Sequence, residues 1–450
     1  MPTGTWALAG NMASPRSGAA TVALQDGRLL IAGGGAPDAT GNSVALASVE
    51  VFDTSGNFAA VAPMNFARTK HTAVALQDGR VLVAGGIGGG GTAIDSAELY
   101  DPVANTWTVT GSLKVARSGH TASLLPDGTV LIAGGDNAGV AQNSLEVFDP
   151  TAGVFTTATG ALSSPRDSHA AAVLQDGRVL IVGGFDGAKP LASSDVYDPS
   201  TGSVSAGPAM STARQGLSAT TQLDGKVFVA GGNNGSVDLA WTEVYDPAAG
   251  TFAVSATLAT ARQGHQAFLL PHSNNILIVG GTSSGAALNS SEQYVPWTGT
   301  LNTASFMTSA RSASTGSPLS QDGLLLVAGG KDSSTPPNTL QSGELYGFAT
   351  IKTDKADYPP GTTVNITGSG WQPGETVALT LVEWPLIDTH GPYAVQADAS
   401  GNISDSSFTT DIHDVDVHFT LTAAGSVSQA QTTFTDANAS DGDGTMAVSP

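Results

Sequence analysis

A pair of adjacent glycines closes a short apolar run at seven places: Gly33-Gly34, Gly85-Gly86, Gly134-Gly135, Gly183-Gly184, Gly231-Gly232, Gly280-Gly281 and Gly329-Gly330. Successive pairs are 52, 49, 49, 48, 49 and 49 residues apart. A period this regular means one supersecondary unit repeated and stacked, because such a unit cannot bury its hydrophobic face alone.

Each unit has the same internal order. A first strand begins near an arginine and ends at a turn such as Asp26-Gly27, Asp78-Gly79 or Asp127-Gly128. Asp-Gly supplies the positive φ angles of a two-residue hairpin. The second strand is a continuous apolar run, Val81 to Ala84 or Val179 to Val182, as expected of a strand covered on both faces. The double glycine then turns the chain where side chains would collide. A third strand ends in Tyr100-Asp101-Pro102, Phe148-Asp149-Pro150, Tyr197-Asp198-Pro199 or Tyr245-Asp246-Pro247, and a fourth opens on Trp107, Phe155 or Phe252. Four antiparallel strands in about fifty residues make one propeller blade.

With the double glycine, the aromatic before the Asp-Pro turn and the later Trp or Phe, the units resemble kelch repeats. The resemblance covers residues 1–350 and implies a seven-bladed β-propeller. It departs at Val204, which replaces a fourth-strand aromatic, and at Val295 and Gly347, which replace the turn aspartate. The seventh unit has no fourth strand of its own after Glu344-Leu345-Tyr346, but Thr5-Trp6-Ala7-Leu8 matches Thr106-Trp107-Thr108-Val109. The first strand of the chain is therefore expected to complete the last blade and remove an open sheet edge. Because the chain starts just before this strand, a longer parent trimmed at its start is expected.

Residues 351–437 lose the period but keep strand signals, separated by Pro359-Pro360-Gly361 and Gln372-Pro373-Gly374. Short strands at this spacing predict a β-sandwich. The run from Asp354 to Glu375, with Tyr358-Pro359-Pro360-Gly361 and Gly368-Ser369-Gly370-Trp371, resembles bacterial immunoglobulin-like surface modules. That resemblance implies a secreted or cell-surface protein. Residues 438–450 are small and polar and read as a flexible tail or linker. The fold class expected is all-β: a seven-bladed kelch-type propeller followed by an immunoglobulin-like sandwich.

Composition narrows function. Lys plus Arg number 17 against 38 Asp plus Glu, a formal charge of −21, so a nucleic-acid partner is not expected. There is no cysteine, hence no disulfide, thiolate nucleophile or cysteine metal site. No apolar run reaches the roughly 18 residues of a membrane span, and no signal peptide is visible at the start.

The candidate site residues are repeat residues. Arg16, Arg68, Arg117, Arg166, Arg214, Arg262 and Arg311 hold one position in every unit. In kelch propellers that position lies at the mouth of the central channel, and some members bind acidic partners there. By that resemblance the seven are candidate ligand contacts, since guanidinium grips carboxylates bidentately. The competing reading is structural. Glu50, Glu98, Glu146, Asp195, Glu243, Glu292 and Glu344 follow the arginines by 29 to 34 residues, and buried charges require partners. His71, His120, His169 and His265 follow their arginines by three residues, and packing or a structural hydrogen bond is expected of them. In unit five Trp241 replaces the serine found two residues before the acid elsewhere, and Leu217 replaces the histidine. Trp241 is either a stacking platform for a sugar or filler against Leu217. In Asp411 to His418, Asp414, Asp416 and His418 share a strand face; a solvated face is expected there rather than a metal site.

A propeller followed by a sandwich is similar in outline to galactose oxidase and related copper radical oxidases, whose cofactor joins a Tyr to a Cys. Without cysteine that cofactor cannot form, so neither cofactor nor metal is expected. No nucleophile, base and orienter trio stands out. The expected function is a secreted or surface-exposed bacterial binding or adhesion module, a monomer or part of an array, that recognises a glycan or protein at the propeller rim. A carbohydrate-active enzyme (a kelch-type epimerase or oxidase) and a structural spacer remain the alternatives.

Overall fold

The structure is a computed structural model of the 450-residue chain and describes all of it except residues 2, 321–322, 386–387, 412–416 and 437–450. The tail 438–450 and most of the Asp411–His418 alternation therefore lie outside the described residues. Every regular element among the described residues is a strand.

Seven four-stranded antiparallel sheets form the blades. In blade two the strands are Thr72–Ala75, Val81–Ala84, Ala97–Asp101 and Thr106–Val109, each paired with the next. The second strand is buried at every residue because neighbouring blades cover both of its faces. Apolar cores accordingly lie between blades: Val81, Val83 and Tyr100 pack with Leu30 and Val51 of blade one. The innermost strands touch one another around the axis, from Ala20–Ala23 through Thr72–Ala75 and onward to Thr315–Pro318, which meets Ala20–Ala23 again.

The ring closes through the start of the chain. Trp6–Asn11 is the outer strand of blade seven, antiparallel to Ser342–Gly347, with Trp6 opposite Tyr346. Their rings lie 5.0 Å apart, and the Trp6 indole N–H donates to the Ser305 carbonyl at 3.1 Å.

The double glycine is the joint between blades. The Gly86 N–H donates to the carbonyl of Arg117 in the next blade at 2.8 Å. Gly85 and Gly86 have φ of 62° and 97°, and a Cβ on Gly85 would lie 2.6 Å from that carbonyl. Both the left-handed backbone and the close approach thus require glycine. The bond recurs around the ring, ending with Gly330 on Arg16.

After the propeller, residues from Lys352 form two further sheets. One contains Thr389–Gln396, Thr376–Trp384, Val417–Ala424 and Gln429–Asp436; the other contains Lys352–Thr353, Ile366–Gly368 and Ile403–Asp405. Between them lies one continuous core that includes Tyr358, Trp371, Leu379 and Phe419. This unit sits on the hairpin turn between the first two strands of blade six, where Pro271-His272-Ser273-Asn274 replaces Asp-Gly. The His272 carbonyl accepts from Ile351 N (2.7 Å) and the Ser273 carbonyl from Gln431 N (3.1 Å). Asn274 Nδ2 donates to Gln431 Oε1 at 2.9 Å.

Candidate functional site

All seven repeat arginines are at most 1% exposed. Each Nη2 pairs with the acid on the third strand of the same blade at 2.6–3.0 Å: Glu50, Glu98, Glu146, Asp195, Glu243, Glu292 and Glu344 in turn. Each Nη1 donates to the carbonyl of the first glycine in its own blade, as Arg117 does to Gly134 at 2.7 Å. A second carbonyl, two residues before the acid, accepts from the same atom. Each acid also accepts a backbone N–H from the entry loop of its blade, as Glu146 does from Lys114 at 2.7 Å. The arginine backbone binds the previous blade's glycines and its side chain binds its own. These guanidinium groups clamp the wall of the ring, and none presents its charge at the rim.

Trp241 stands apart. It is 52% exposed, and its carbonyl accepts from Arg214 Nη1 at 2.9 Å. Leu217 is buried with Ala170, Leu180 and Val229, and Trp241 is outside that cluster. Of the two readings of Trp241, its position at the surface leaves the indole available as a platform.

The histidines lie between blades. Nε2 of His120, His169 and His265 bonds the hydroxyl of Thr72, Thr121 and Ser218 in the preceding blade at 2.8–3.0 Å. Blade one carries Ala20 at that position, so His71 has no hydroxyl partner from the preceding blade. Burial, aided by the neighbouring arginine charge, lowers the pKa of all four from 6.5 to about 3.

What varies from blade to blade sits at the channel mouth on the double-glycine face. The residue after each arginine bridges the residue after each glycine pair: Ser118 with Asp136, Asp167 with Phe185, Gln215 with Asn233, Ser312 with Lys331. The next residue is left-handed in every blade, including Lys70 (φ 53°), Ser168 (φ 50°) and Ala313 (φ 49°). These residues link head to tail around the axis. Gly18 N donates to Ala313 O, Lys70 N to Gly18 O and Gly119 N to Lys70 O, at 2.8–3.2 Å. Three non-glycine residues in this conformation carry strain of the kind that collects at functional sites.

The mouth has its own electrostatics. Partial burial raises the Asp167 carboxyl above its usual range; the Ser168 hydroxyl opposes this, Asp136 adds to it and Lys70 opposes it. Beside the mouth, a cleft of about 250 Å³ between blades five and six is lined by Asn233, Asp238, Gln263 and Ser284, among others. Asp238 fixes that wall by accepting from Asn233 Nδ2 (2.8 Å) and Ser284 N (2.7 Å). From sequence, Asp136-Asn137, Asn233-Asn234 and Lys331-Asp332 read only as turn formers, because they do not repeat. Their signal is that very irregularity, at fixed places within a regular unit.

Seven closed blades with these joints define a kelch-type β-propeller. The chain matches the family model of the KLHDC2/KLHL20/DRC7 kelch-repeats domain over residues 22–232 and again over 70–281, the second match displaced by one repeat. It belongs to the kelch-repeat family. Among solved structures it is similar to a fungal alcohol oxidase of the AA5 family in complex with copper, with 16% identity over 97% of this chain and 100% of that one (TM-score 0.64). It is also similar to the structure of YjhT, with 16% identity over 66% of this chain and 99% of that one (TM-score 0.52). At these identities the likeness is one of fold. No curated protein matches the chain.

The described residues do not present a copper site. Among the described residues no three His, Cys, Asp or Glu side chains converge as a metal site would require. The repeat histidines are enclosed singly between blades, three of them holding a hydroxyl.

Proposed function

We propose that this protein is a secreted or surface-exposed bacterial binding module whose ligand, a glycan or a protein, seats on the double-glycine face around the channel mouth. One observation carries the reading: buried framework positions repeat in blade after blade, while the bridged positions above them run through Ser, Asp, Phe, Gln, Asn and Lys. A scaffold that is uniform below and individual above is built to present side chains. The acidic pair Asp136 and Asp167, set against Lys70 and a net charge of −21, favours a neutral or basic ligand over an anionic one. Phe185, Trp241 and the amides of Asn233 and Gln263 supply the apolar faces and paired donors and acceptors that a glycan or peptide uses. The C-terminal unit, read as immunoglobulin-like, acts as a spacer, and display in an array strengthens weak contacts.

The test is a glycan and peptide array probed with the whole chain beside Asp167→Asn and Phe185→Ala, each checked for folding by its melting profile. Binding that falls about tenfold in both folded variants supports the mouth as the site. Binding that both variants retain removes it.

A further inference from the structure

Blade six breaks the repeat at three positions, and all three line one cleft. Gln293 stands where the other blades carry Val51, Leu99, Val147, Val196, Val244 and Leu345. Asn302 lies directly opposite Gln293 on the fourth strand, where other blades have Ala59, Thr108, Thr156, Ser205 and Ala253. Asn275 precedes the second strand where four other blades carry Arg28, Arg80, Arg178 and Lys226. The cleft they line lies between blade six and the C-terminal unit, on the side away from the double-glycine loops. Its volume is about 370 Å³, and Gln372, Ser428 and Gln429 form its far wall. That volume is at the lower end of small-molecule sites, roughly 300–1,000 Å³.

Docking of the C-terminal unit accounts for only one of these residues. Asn275 does serve it, donating through Nδ2 to the Gln429 carbonyl at 2.8 Å. The carboxamides of Gln293, Asn302, Gln372 and Gln429, all residues of the lining, make no hydrogen bond within the described protein. Asn275 Oδ1 and Ser428 Oγ are buried without a partner. Unsatisfied buried groups cost about 1–3 kcal/mol each and call for a cause.

We propose that this cleft is a second binding site, for a neutral hydroxyl-rich ligand of mono- or disaccharide size. No lining residue is charged, so an ionic ligand would be desolvated there without a counter-charge. Amides both donate and accept, as sugar hydroxyls do. Val427, 68% exposed in the same lining, offers apolar surface to the C–H face of a ring. The site stands independently of the channel mouth.

The experiment is saturation-transfer NMR on the whole chain with glucose, galactose, N-acetylglucosamine, maltose and the charged control glucuronate. Beside it runs the double variant Gln293→Val with Asn302→Thr, which installs residues other blades already use and is expected to melt no lower than the parent. With the mouth disabled by Asp167→Asn and Phe185→Ala in both proteins, the expected result is transfer to at least one neutral sugar that falls more than tenfold when the Gln293→Val and Asn302→Thr pair is added. Two results would overturn the proposal: no transfer to any neutral sugar in the mouth-disabled protein, or transfer that survives the added pair.

Discussion

The propeller and the C-terminal unit bury their interiors in opposite ways. The C-terminal unit has one apolar core, continuous from Ile351 to Phe434. The propeller divides its apolar surface among several smaller clusters, each shared by neighbouring blades. Between them it buries seven ion pairs and four histidines. A ring of blades has little depth for a core of its own, so orientation comes from charged and hydrogen-bonded clamps with completed partners. The propeller's stability should therefore answer to charge and pH, and the C-terminal unit's to volume.

Acid should separate the two most strongly. Each buried histidine keeps a pKa of about 3 in the folded ring against 6.5 when exposed. Between those values the unfolded chain binds protons that the folded ring refuses. Stability is thus fully present above pH 6.5 and is lost as pH falls below it. All four sites act in the same direction. Hydrogen exchange at pH 7, 6 and 5 should show the blade strands losing protection steeply while Thr376–Trp384 and Val417–Ala424 lose little. Equal losses in both regions would erase the contrast.

A single clamp should matter next. Arg117→Leu leaves Glu146 and the carbonyls of Gly134 and Ser144 buried without their donor. Breaking such a pair from one side costs about 3–5 kcal/mol. Urea unfolding followed by region-resolved exchange should show that loss in the propeller alone. Trp371→Ala, which empties the C-terminal core, should cost a similar amount, about 3–5 kcal/mol, with the ring unaffected.

The same contrast explains what the sequence made legible. Arginine, acid and glycine pair all belong to one unit, so seven copies display their offsets and the blade could be read from them. The closing strand was legible because Trp6 matches Trp107. The role of the arginines stayed open between clamp and ligand contact, because spacing reports a recurring position but not whether it is buried. Contacts from one blade to the next were harder. The partner of His120 is Thr72, 48 residues earlier in another repeat, and a hydroxyl beside a histidine looks like ordinary strand chemistry. The seat of the C-terminal unit was hardest, since Pro271-His272-Ser273-Asn274 meets a partner that occurs once. Its traces were the missing Asp-Gly turn of unit six and Asn275 where four other blades carry a basic residue. The mouth residues gave no periodic signal because individuality is what distinguishes them.

The smallest effect tests the blade-to-blade pairing itself. Three of the four histidines have a hydroxyl from the preceding blade, and His71 has Ala20 in its place. Blade five resolves the same mismatch differently: Ala170 precedes it, and Leu217 replaces the histidine. Ala20→Thr should therefore supply Nε2 of His71 with its bond and raise stability by about 0.5–1.5 kcal/mol. His71→Leu, copying blade five, should be neutral or stabilising, because it removes a buried polar ring that lacks a hydroxyl partner. The two gains should not add, since the threonine hydroxyl has nothing to bond once the ring is gone. Urea midpoints of the single and double variants decide it. Additive gains, or a loss in Ala20→Thr, would mean that the histidine–hydroxyl bonds in the other blades are incidental to how the blades are joined.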